Sequence, residues 1–481
     1  MTSTTAEEFL MPFGISADTG RLISDISDNA VTAMIAKGPE SELSALQERS
    51  GPAATFGVIG ELDGNDLSQS GWGVIFGPGV DQQIKDALKP LIDHRKSIAD
   101  PFVIYEGPES VRPSESARDW LSRQGVRFDV VDPAKGVPFY LLIVGPADSV
   151  PFEFQYSLDI YWAVGRLWFD TADEFRQYAE SVVQYETSTG VPTTRNLALF
   201  ATEHDFDNAT QLFTRNVVKP LLLGEGNNPV PLGKRQKFGL ETVLGERATK
   251  ANLAALLRGR AETGSPSILF SGSHGMEFRS EDDRQLANQG AIVCQDWPGF
   301  GAISEDHWFA ACDVPDDAKL RGMMHVFFAC HGGGCTEFDN FDHMNNQPRR
   351  LAAKPFFSQL PSKLLSHRDG GALAVLAHIE RAWAYSFLGD KGGSQSQGFR
   401  DVIGRLLRGD RIGQATDVFN TRWAALSVQL SEAQRDLQYG ANISLKSLGR
   451  MWAARDDARN FMIMGDPAVR LRVEDLPQCS Q

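Results

Sequence analysis

The sequence predicts an α/β fold in which helices cover both faces of a mostly parallel sheet. Strand-like apolar runs alternate with helix-like runs over most of the 481 residues, and this alternation is typical of parallel strands buried between helices. The strand-like runs end in Gly or Pro, which are residues of turns. The length and the 42% content of hydrophobic residues allow a large core and two or three domain-sized units.

The N-terminal part contains a series of short apolar runs separated by turn residues. The strands predicted from them are residues 54–60, 72–77, 101–107, 126–131 and 139–145. A helix is predicted at residues 114–125. Thr171 and Glu174 form a T-x-x-E capping box before an apolar pattern of helical spacing, so a second helix is predicted to begin there.

The polar segment 188–195 contains Gly and Pro and predicts a boundary between two subdomains. We therefore divide the chain into an N-terminal subdomain, residues 1–190, and a second subdomain, residues 191–481. The second repeats the alternation, with strands predicted at residues 196–202, 267–275, 324–335 and 372–379 and helices at residues 210–223, 249–259 and 355–366. Its last quarter is predicted to be helical and to close on residues 461–473.

Charge and hydropathy exclude several classes of partner. A net charge of −15 and a pI near 5.1 repel polyanions, so nucleic acid is not expected as a partner. The N-terminus lacks the pattern of a signal peptide, and no apolar run approaches the ~20 residues that span a bilayer. Five scattered cysteines do not form a disulfide framework. We therefore expect a cytoplasmic protein without a membrane partner.

Two reactive side chains follow predicted strands. His274 and Cys330 each come just after an apolar run, and ligands of open α/β sheets bind beyond the carboxyl ends of strands. An imidazole can deprotonate a thiol and later protonate a leaving amine. The adjacent glycines leave backbone N–H groups unshielded, so the amides of Gly275 and Cys330 are predicted to hold the oxyanion of a tetrahedral intermediate.

The same stretch allows two other interpretations. Cys335 is a second candidate nucleophile, but Cys330 is favoured because it directly follows the strand in an Ala-Cys-x-Gly setting. A zinc site could draw its ligands from one cluster of residues: His325, Cys330, His331, Cys335 and His343. The Cys-x4-Cys spacing is loose for structural zinc and no second knuckle pairs with it, so neither a metal nor another cofactor is expected.

Several motifs in order resemble the gingipain-like branch of the caspase-like cysteine peptidases, which shares its dyad with caspases, legumain and separases. The histidine precedes the cysteine by 56 residues, near the ~50 of caspases. The motifs are YLLIVGPADSVP (140–151), AVGRL (163–167), SGSHG (271–275), FFACHGG (327–333), AHIERAW (377–383) and FMIMGDPAVRL (461–471). The resemblance implies a caspase-like three-layer sandwich with mostly parallel sheets and two side-by-side subdomains, the first without a dyad.

The same resemblance implies a cysteine endopeptidase that cleaves proteins through a Cys330–His274 dyad and a thioester acyl-enzyme. It places Trp383 in the primary specificity pocket, where Asp159 would be the acid that selects Arg or Lys before the scissile bond. Three means of control are open: an activating protein partner, autocleavage in the acidic loop around Arg279–Arg284, or a partner that orders the loops. A role in regulated proteolysis, cell death or antiphage defence is expected. The alternatives are an inactive caspase-fold scaffold and a thiol acyltransferase or amidase.

Overall fold

The computed structural model describes residues 12–23, 26–37, 42–51, 57–224, 229–260, 263–299, 302–344, 347–388 and 394–478. Its strands are β1 (Gly14–Ser16), β2 (Trp72–Phe76), β3 (Phe102–Tyr105), β4 (Tyr140–Val144), β5 (Ala163–Leu167), β6 (Thr193–Ala201), β7 (Gly239–Leu244), β8 (Ser265–Gly272), β9 (Gly275–Glu277), β10 (Ile292–Val293), β11 (Trp308–Phe309), β12 (Met324–Phe328), β13 (Gly334–Cys335), β14 (Phe338–Met344), β15 (Gln347–Arg350), β16 (Phe356–Phe357), β17 (Ala374–His378) and β18 (Phe461–Gly465).

The helices alternate with these strands for most of the chain and dominate its last quarter. They are α1 (Asp28–Lys37), α2 (Leu43–Arg49), α3 (Leu67–Ser70), α4 (Gln82–Ile98), α5 (Ala117–Arg123), α6 (Phe152–Leu158), α7 (Ala172–Thr187), α8 (Asn208–Phe213), α9 (Lys219–Leu223), α10 (Lys250–Arg258), α11 (Gln285–Asn288), α12 (Gln359–Leu365), α13 (Gln397–Leu406), α14 (Ile412–Ala415), α15 (Asp417–Gln438) and α16 (Leu445–Arg459). None of the described helices is long and apolar enough to cross a membrane.

A ten-stranded sheet forms the centre of the fold, in the order β3-β2-β4-β5-β18-β17-β12-β8-β6-β7. Neighbouring strands are parallel except β17 and β18, which pair antiparallel, so the sheet consists of two parallel halves that run in opposite directions. The predicted α/β class with a mostly parallel sheet is confirmed. The predicted boundary at residue 190 falls between α7 and β6, and the division into two subdomains stays a prediction.

The core strands are apolar along their whole length because they are covered on both faces. β4, β12, β17 and β18 are buried at every position, as expected for parallel strands between helices. The helix predicted from the capping box is confirmed: the side chains and backbones of Thr171 and Glu174 form both hydrogen bonds of the box at the start of α7. These strands and this helix could be predicted because the signal for each lies within a few consecutive residues.

One predicted strand is wrong, and another cannot be assessed fully. Residues 126–131 form no strand; Val131 makes a single isolated bridge with Val58. The predicted strand 54–60 lies partly outside the described residues, and its described part contributes only this bridge. The apolar residues of 126–131, such as Phe128, pack against the core from a loop, so their hydrophobicity reports burial rather than strand pairing.

A four-stranded sheet, β1-β9-β10-β11, lies beside the large one and carries part of the site. It builds a second small core from Ile15, Met276, Phe278, Val293 and Trp308. The long acidic segment after His274 contributes three of these strands, β9, β10 and β11. The most N-terminal described strand, β1, pairs in parallel with β9, with Gly14 opposite Gly275.

The Gly-Asp-Pro element after β18 has a structural role in this fold. Asp466 is completely buried and accepts hydrogen bonds from Nε of Arg95 at 2.7 Å and from Nε1 of Trp72 at 2.9 Å. Arg95 also pairs with Glu186 of α7. These charges are buried and mutually satisfied, so the pairs fix α4, α7 and the end of β18 in one arrangement.

Candidate active site

The two residues predicted to form the dyad lie just past the ends of neighbouring strands. β8 and β12 pair in parallel, with Phe328 opposite Gly272 at the end of their register. His274 lies two residues after Gly272 and Cys330 lies two residues after Phe328, so both lie at the same edge of the sheet. Both are fully buried. The structure therefore brings the two residues to one edge, and their catalytic roles stay a prediction.

Asp207 is a site residue that the sequence analysis missed. It follows β6, the neighbour of β8, and caps α8 by accepting the backbone N–H groups of Ala209 and Thr210 at 3.0 and 3.2 Å. Its carboxylate also lies 2.7 Å from Nε2 of His274. Burial opposes ionisation of this carboxyl group, but the charge and hydrogen bond of His274 outweigh burial and hold the pKa of Asp207 well below its usual range.

The Asp207 contact determines which nitrogen of His274 carries a proton. An ionised carboxylate only accepts hydrogen bonds, so Nε2 of His274 donates to Asp207. When the ring carries a single proton, Nδ1 is the acceptor. Among the residues that the structure describes, this buried Nδ1 has no hydrogen-bond partner. It is therefore the nitrogen that can take a proton from a nearby group.

The thiol of Cys330 is enclosed and neutral in this conformation. The backbone N–H of Ala382 donates to Sγ at 3.2 Å, and Sγ lies 3.6 Å from the carbonyl oxygen of the same residue. Burial raises the pKa of the thiol well above its usual value, although the Ala382 contact and the charge of Arg381 act in the opposite direction. A reactive thiolate therefore requires a change in its surroundings.

Two backbone amides at this edge share one acceptor. The N–H groups of Gly275 and Cys330 both donate to the carbonyl oxygen of Phe13, at 2.9 and 2.8 Å. A side chain at position 275 would place its Cβ 1.9 Å from the carbonyl oxygen of Cys330, so this close approach requires glycine. These are the amides predicted to form an oxyanion hole, and a peptide carbonyl of the chain itself occupies the point at which they converge.

Comparisons with known proteins give likenesses in structure only. Neither a protein-family model nor a curated protein sequence matches this chain. The solved structure of the Arg-specific cysteine proteinase gingipain R has a TM-score of 0.49 and 12% identity, over 84% of this chain and 79% of that one. A structure described as a protease has the same score and identity, over 83% and 78%. The complex of the Porphyromonas gingivalis gingipain pro- and mature domains has a TM-score of 0.45 and 11% identity, over 84% and 80%.

The two residues predicted to line the specificity pocket, Trp383 and Asp159, lie in different parts of the structure. Trp383 is beside Phe13: its backbone forms an isolated antiparallel bridge with Pro12, while its buried ring packs on Phe341 with centroids 5.1 Å apart. Asp159 ends α6, and its carboxylate accepts the backbone N–H of Val164 at 3.2 Å. Its hydrogen bonds and charge interactions are with Gln155, Val164 and Arg166, which gives Asp159 a role in the turn between α6 and β5.

Buried charges support the loops around Cys330. Glu277, at the end of β9, pairs with Arg349 at 2.8 Å and with Nε2 of His331 at 3.2 Å. Asp339 pairs with both Arg349 and Arg381, at 3.1 and 2.6 Å. These pairs connect β9, the turn after Cys330 and the loop that carries Ala382, so they hold the surroundings of the thiol in place.

The cluster considered for zinc is divided among separate contacts. Nε2 of His325 lies 2.7 Å from Oγ of Ser271, His331 pairs with Glu277, and Sγ of Cys335 lies 3.6 Å from the side-chain amide of Gln289. The side chain of His343 is outside the described residues. In the described part of the chain, no group of three or more His, Cys, Asp or Glu side chains is arranged to hold a metal ion.

Asp457 of α16 supports the loop beside the site and gives a pH-dependent prediction. Its carboxylate accepts the backbone N–H of Trp383 at 2.8 Å. Burial raises the pKa of Asp457 to about 7, although Arg422 and hydrogen bonds from Ser386 and Trp383 act against the rise. Between about pH 4 and about pH 7 the folded state therefore holds a proton that the unfolded chain has lost, so this group makes stability fall as pH rises through that window.

We expect the free energy of unfolding of Asp457→Asn, relative to that of wild type, to be larger at about pH 8 than at about pH 5 by a few kcal/mol. The Asn side chain keeps an acceptor for the backbone N–H of Trp383, and it does not have to ionise as pH rises. Urea unfolding at the two pH values measures this difference. Asp436→Asn, an exposed change in α15, is the control and should give the same difference at both. An Asp457→Asn difference that does not change with pH would contradict the prediction.

Proposed function

We propose that this protein is a cysteine endopeptidase in which Cys330 is the nucleophile, His274 the general base and acid, and Asp207 a positioning residue. One observation carries the proposal: a peptide carbonyl, that of Phe13, accepts hydrogen bonds from the amides of Gly275 and Cys330 at the dyad. Donors arranged around one oxygen beside a nucleophile stabilise the charge that develops on that oxygen during acyl transfer.

The reaction follows from these positions. Nδ1 of His274 takes the thiol proton, and Sγ of Cys330 forms a bond to the peptide carbonyl carbon while the C=O electron pair moves to oxygen, between the two amides. When the carbonyl re-forms, the C–N bond breaks and His274 returns the proton to the leaving amine. Water then loses a proton to His274 and attacks the thioester, which releases the acid and regenerates the thiol.

Asp207 acts through the histidine. It holds Nε2 by a hydrogen bond, so that Nδ1 is the free nitrogen, and its negative charge stabilises the imidazolium that forms after the first proton transfer. Because the pKa of Asp207 is held well below its usual range, the carboxylate stays charged through that step. The dyad predicted from sequence is thereby extended to a triad.

The alternatives make different demands on the site. An acyltransferase or amidase would bind a small molecule at the thiol, whereas the group that lies against the amides of Gly275 and Cys330 in this structure is the peptide backbone of Phe13. An inactive scaffold has no need for a histidine oriented by a carboxylate beside converging amides. The contacts of Phe13, which are those of a peptide backbone, favour a peptide substrate.

A peptide library tests the proposal. Wild-type protein and the Phe13→Ala variant are incubated with peptides of varied sequence, and new termini are identified by mass spectrometry. The variant lacks the ring of Phe13, the residue whose carbonyl oxygen accepts the two amides. We expect cleavage that is abolished by thiol alkylation and in His274→Ala. If iodoacetamide modifies Cys330 readily in a folded sample that cleaves no peptide, the scaffold interpretation replaces this one.

A further inference from the structure

We propose that the primary specificity pocket of this site accepts a large aromatic side chain, and that the chain's own N-terminal segment, Pro12–Ser16, occupies the site in the position of a substrate. This proposal rests on the proposed function, because the pocket determines substrate specificity only if Cys330 cleaves peptides. It assigns both the class of peptide recognised and the contact that keeps the thiol covered.

The backbone of Phe13 is bound on both sides. Its N–H donates to the carbonyl oxygen of Ala382 at 2.8 Å, and its carbonyl oxygen accepts the amides of Gly275 and Cys330. The preceding residue, Pro12, forms an antiparallel bridge with Trp383. Phe13 thus makes the contacts that a residue before a scissile bond would need: extended pairing on its amino side and an oxyanion position for its carbonyl.

The ring of Phe13 fills a pocket made of rings. It is completely buried, and its centroid lies 4.8 Å from that of Phe328, 5.8 Å from Phe387, 6.1 Å from Phe213 and 5.7 Å from His274. The three phenylalanine contacts are edge-to-face, the favoured arrangement for aromatic pairs. A pocket with these walls gains from burying an apolar ring and offers little to a charged group.

Among the described residues, the two acids considered for this pocket are both engaged elsewhere. The Asp207 carboxylate, which pairs with His274, already accepts hydrogen bonds from Thr210 and the start of α8. Asp159, the acid expected from the resemblance, makes its described contacts in the turn between α6 and β5. The aromatic preference therefore competes directly with the Arg or Lys preference expected from the resemblance, and one panel of probes decides between them.

The residues after Phe13 continue across the site and cover the thiol. A Cβ built on Gly14 would lie 3.1 Å from Sγ of Cys330 and 2.6 Å from Cδ1 of Ile23, so the backbone of Gly14 contacts the nucleophile. Ile15 is buried in the small core, and β1 pairs with β9 along Gly14–Ser16. Since Cys330 is completely buried under this segment, a substrate must displace Pro12–Gly14 before it can bind, and an activating partner would act by releasing them.

Alkylation of Cys330 tests occupancy and pocket class together. Wild type, Phe13→Ala and Phe13→Leu are treated with Pro-Phe and Pro-Arg chloromethyl ketones, in which the thiolate displaces chloride, and labelling of Cys330 is followed by mass spectrometry. Cys330→Ala is the blank. We expect Phe13→Ala to be labelled about tenfold faster than wild type or more, Phe13→Leu to stay slow, and the Phe probe to exceed the Arg probe.

Two outcomes would overturn the proposal. Equal labelling rates for wild type and Phe13→Ala with iodoacetamide, which needs no pocket, would show that the segment does not cover the thiol. Faster labelling by the Arg probe would show that the pocket is not aromatic. Phe338→Ala, a change at a half-exposed phenylalanine on β14, is the matched control and should label like wild type.

Further measurements keep the test decisive if Phe13→Ala does not fold. Gly14→Ala places a methyl group against Sγ and Ile23, so it should displace the segment and speed labelling in the same way; thermal unfolding checks each variant. If neither variant folds, the ratio of Phe-probe to Arg-probe labelling in wild type over long incubation decides the pocket class. Labelling of Cys330 needs no peptide hydrolysis. If the protein cleaves no peptide but its thiol is covered by the segment and reacts faster with the Phe probe, the endopeptidase proposal fails while the pocket proposal stands, so the two failures can be told apart.

Discussion

Replacement of Cys330 by alanine is expected to lower kcat/KM for peptide cleavage by about 10⁴-fold or more, the scale of loss when the nucleophile of a catalytic unit is removed. The alanine side chain has no atom that can form the acyl-enzyme bond, and the two amides alone leave only residual catalysis. The fold should survive, because the change removes one sulfur atom from a buried position. Peptide cleavage is measured in wild type and in Phe13→Ala, so that coverage of the thiol does not hide the loss.

Cys335→Ala is the matched control for this prediction. Cys335 lies five residues further along the chain, is equally buried, and its Sγ lies near the side-chain amide of Gln289 rather than the backbone N–H of Ala382. We expect this variant to keep peptidase activity close to that of its parent. Loss of activity in Cys335→Ala with retention in Cys330→Ala would reverse the assignment of the nucleophile.

Asp207→Asn is expected to lower kcat for peptide cleavage by about 10² to 10⁴-fold with little change in KM. Asn is as good a helix N-cap as Asp, so α8 keeps its start while His274 loses the charge that stabilises its imidazolium form. Asn can also present an N–H group to Nε2, which would favour the unproductive tautomer. The folded fraction is measured beside kcat and KM, because partial unfolding lowers the apparent kcat without changing KM, whereas loss of the Asp207 charge lowers kcat in fully folded protein.

Asp205→Asn provides the control for Asp207. Asp205 is exposed and lies two residues earlier on the same connection between β6 and α8, so its replacement removes one negative charge from the same region without touching His274. We expect unchanged kcat and KM. Similar loss in the two variants would indicate a general effect of charge on the site and would remove Asp207 from its positioning role.

Much of the fold could be predicted because its signals are local. The apolar runs that became β2, β4, β6, β8, β12 and β17 stand between turn residues, and the capping box of Thr171 and Glu174 lies within four residues. The strand predicted at 126–131 was wrong for a related reason: an apolar run reports burial, and here a loop is buried without a strand partner. The strands at Gly14–Ser16 and Gly239–Leu244 are short or half-buried and gave little signal.

The residues of the candidate site also differ in whether a local signal reveals them. His274 and Cys330 could be chosen from sequence because each follows a buried strand and is flanked by glycine, so the chemistry and the position are visible within a few residues. Asp207 could not, since its role depends on β6 lying next to β8 in the sheet, and strand order is decided by packing. An acidic residue after a strand was the only available signal, and it had no partner until the sheet was assembled.

An α/β chain with a thiol and an imidazole at strand ends can be predicted from the amino-acid sequence, because buried strands, turns and reactive side chains each give a signal within a short stretch. The surroundings of these two groups became visible only in the assembled fold: the carboxylate on His274, the aromatic walls around Phe13, and the contacts of Phe13 with Ala382, Gly275 and Cys330. Asp207 and His274 are 67 residues apart, and Phe13 lies hundreds of residues from Gly275, Cys330 and Ala382 along the chain. Their contacts arise from the pairing of whole strands, whose free energy is spread over the core and leaves no local pattern at any one of them.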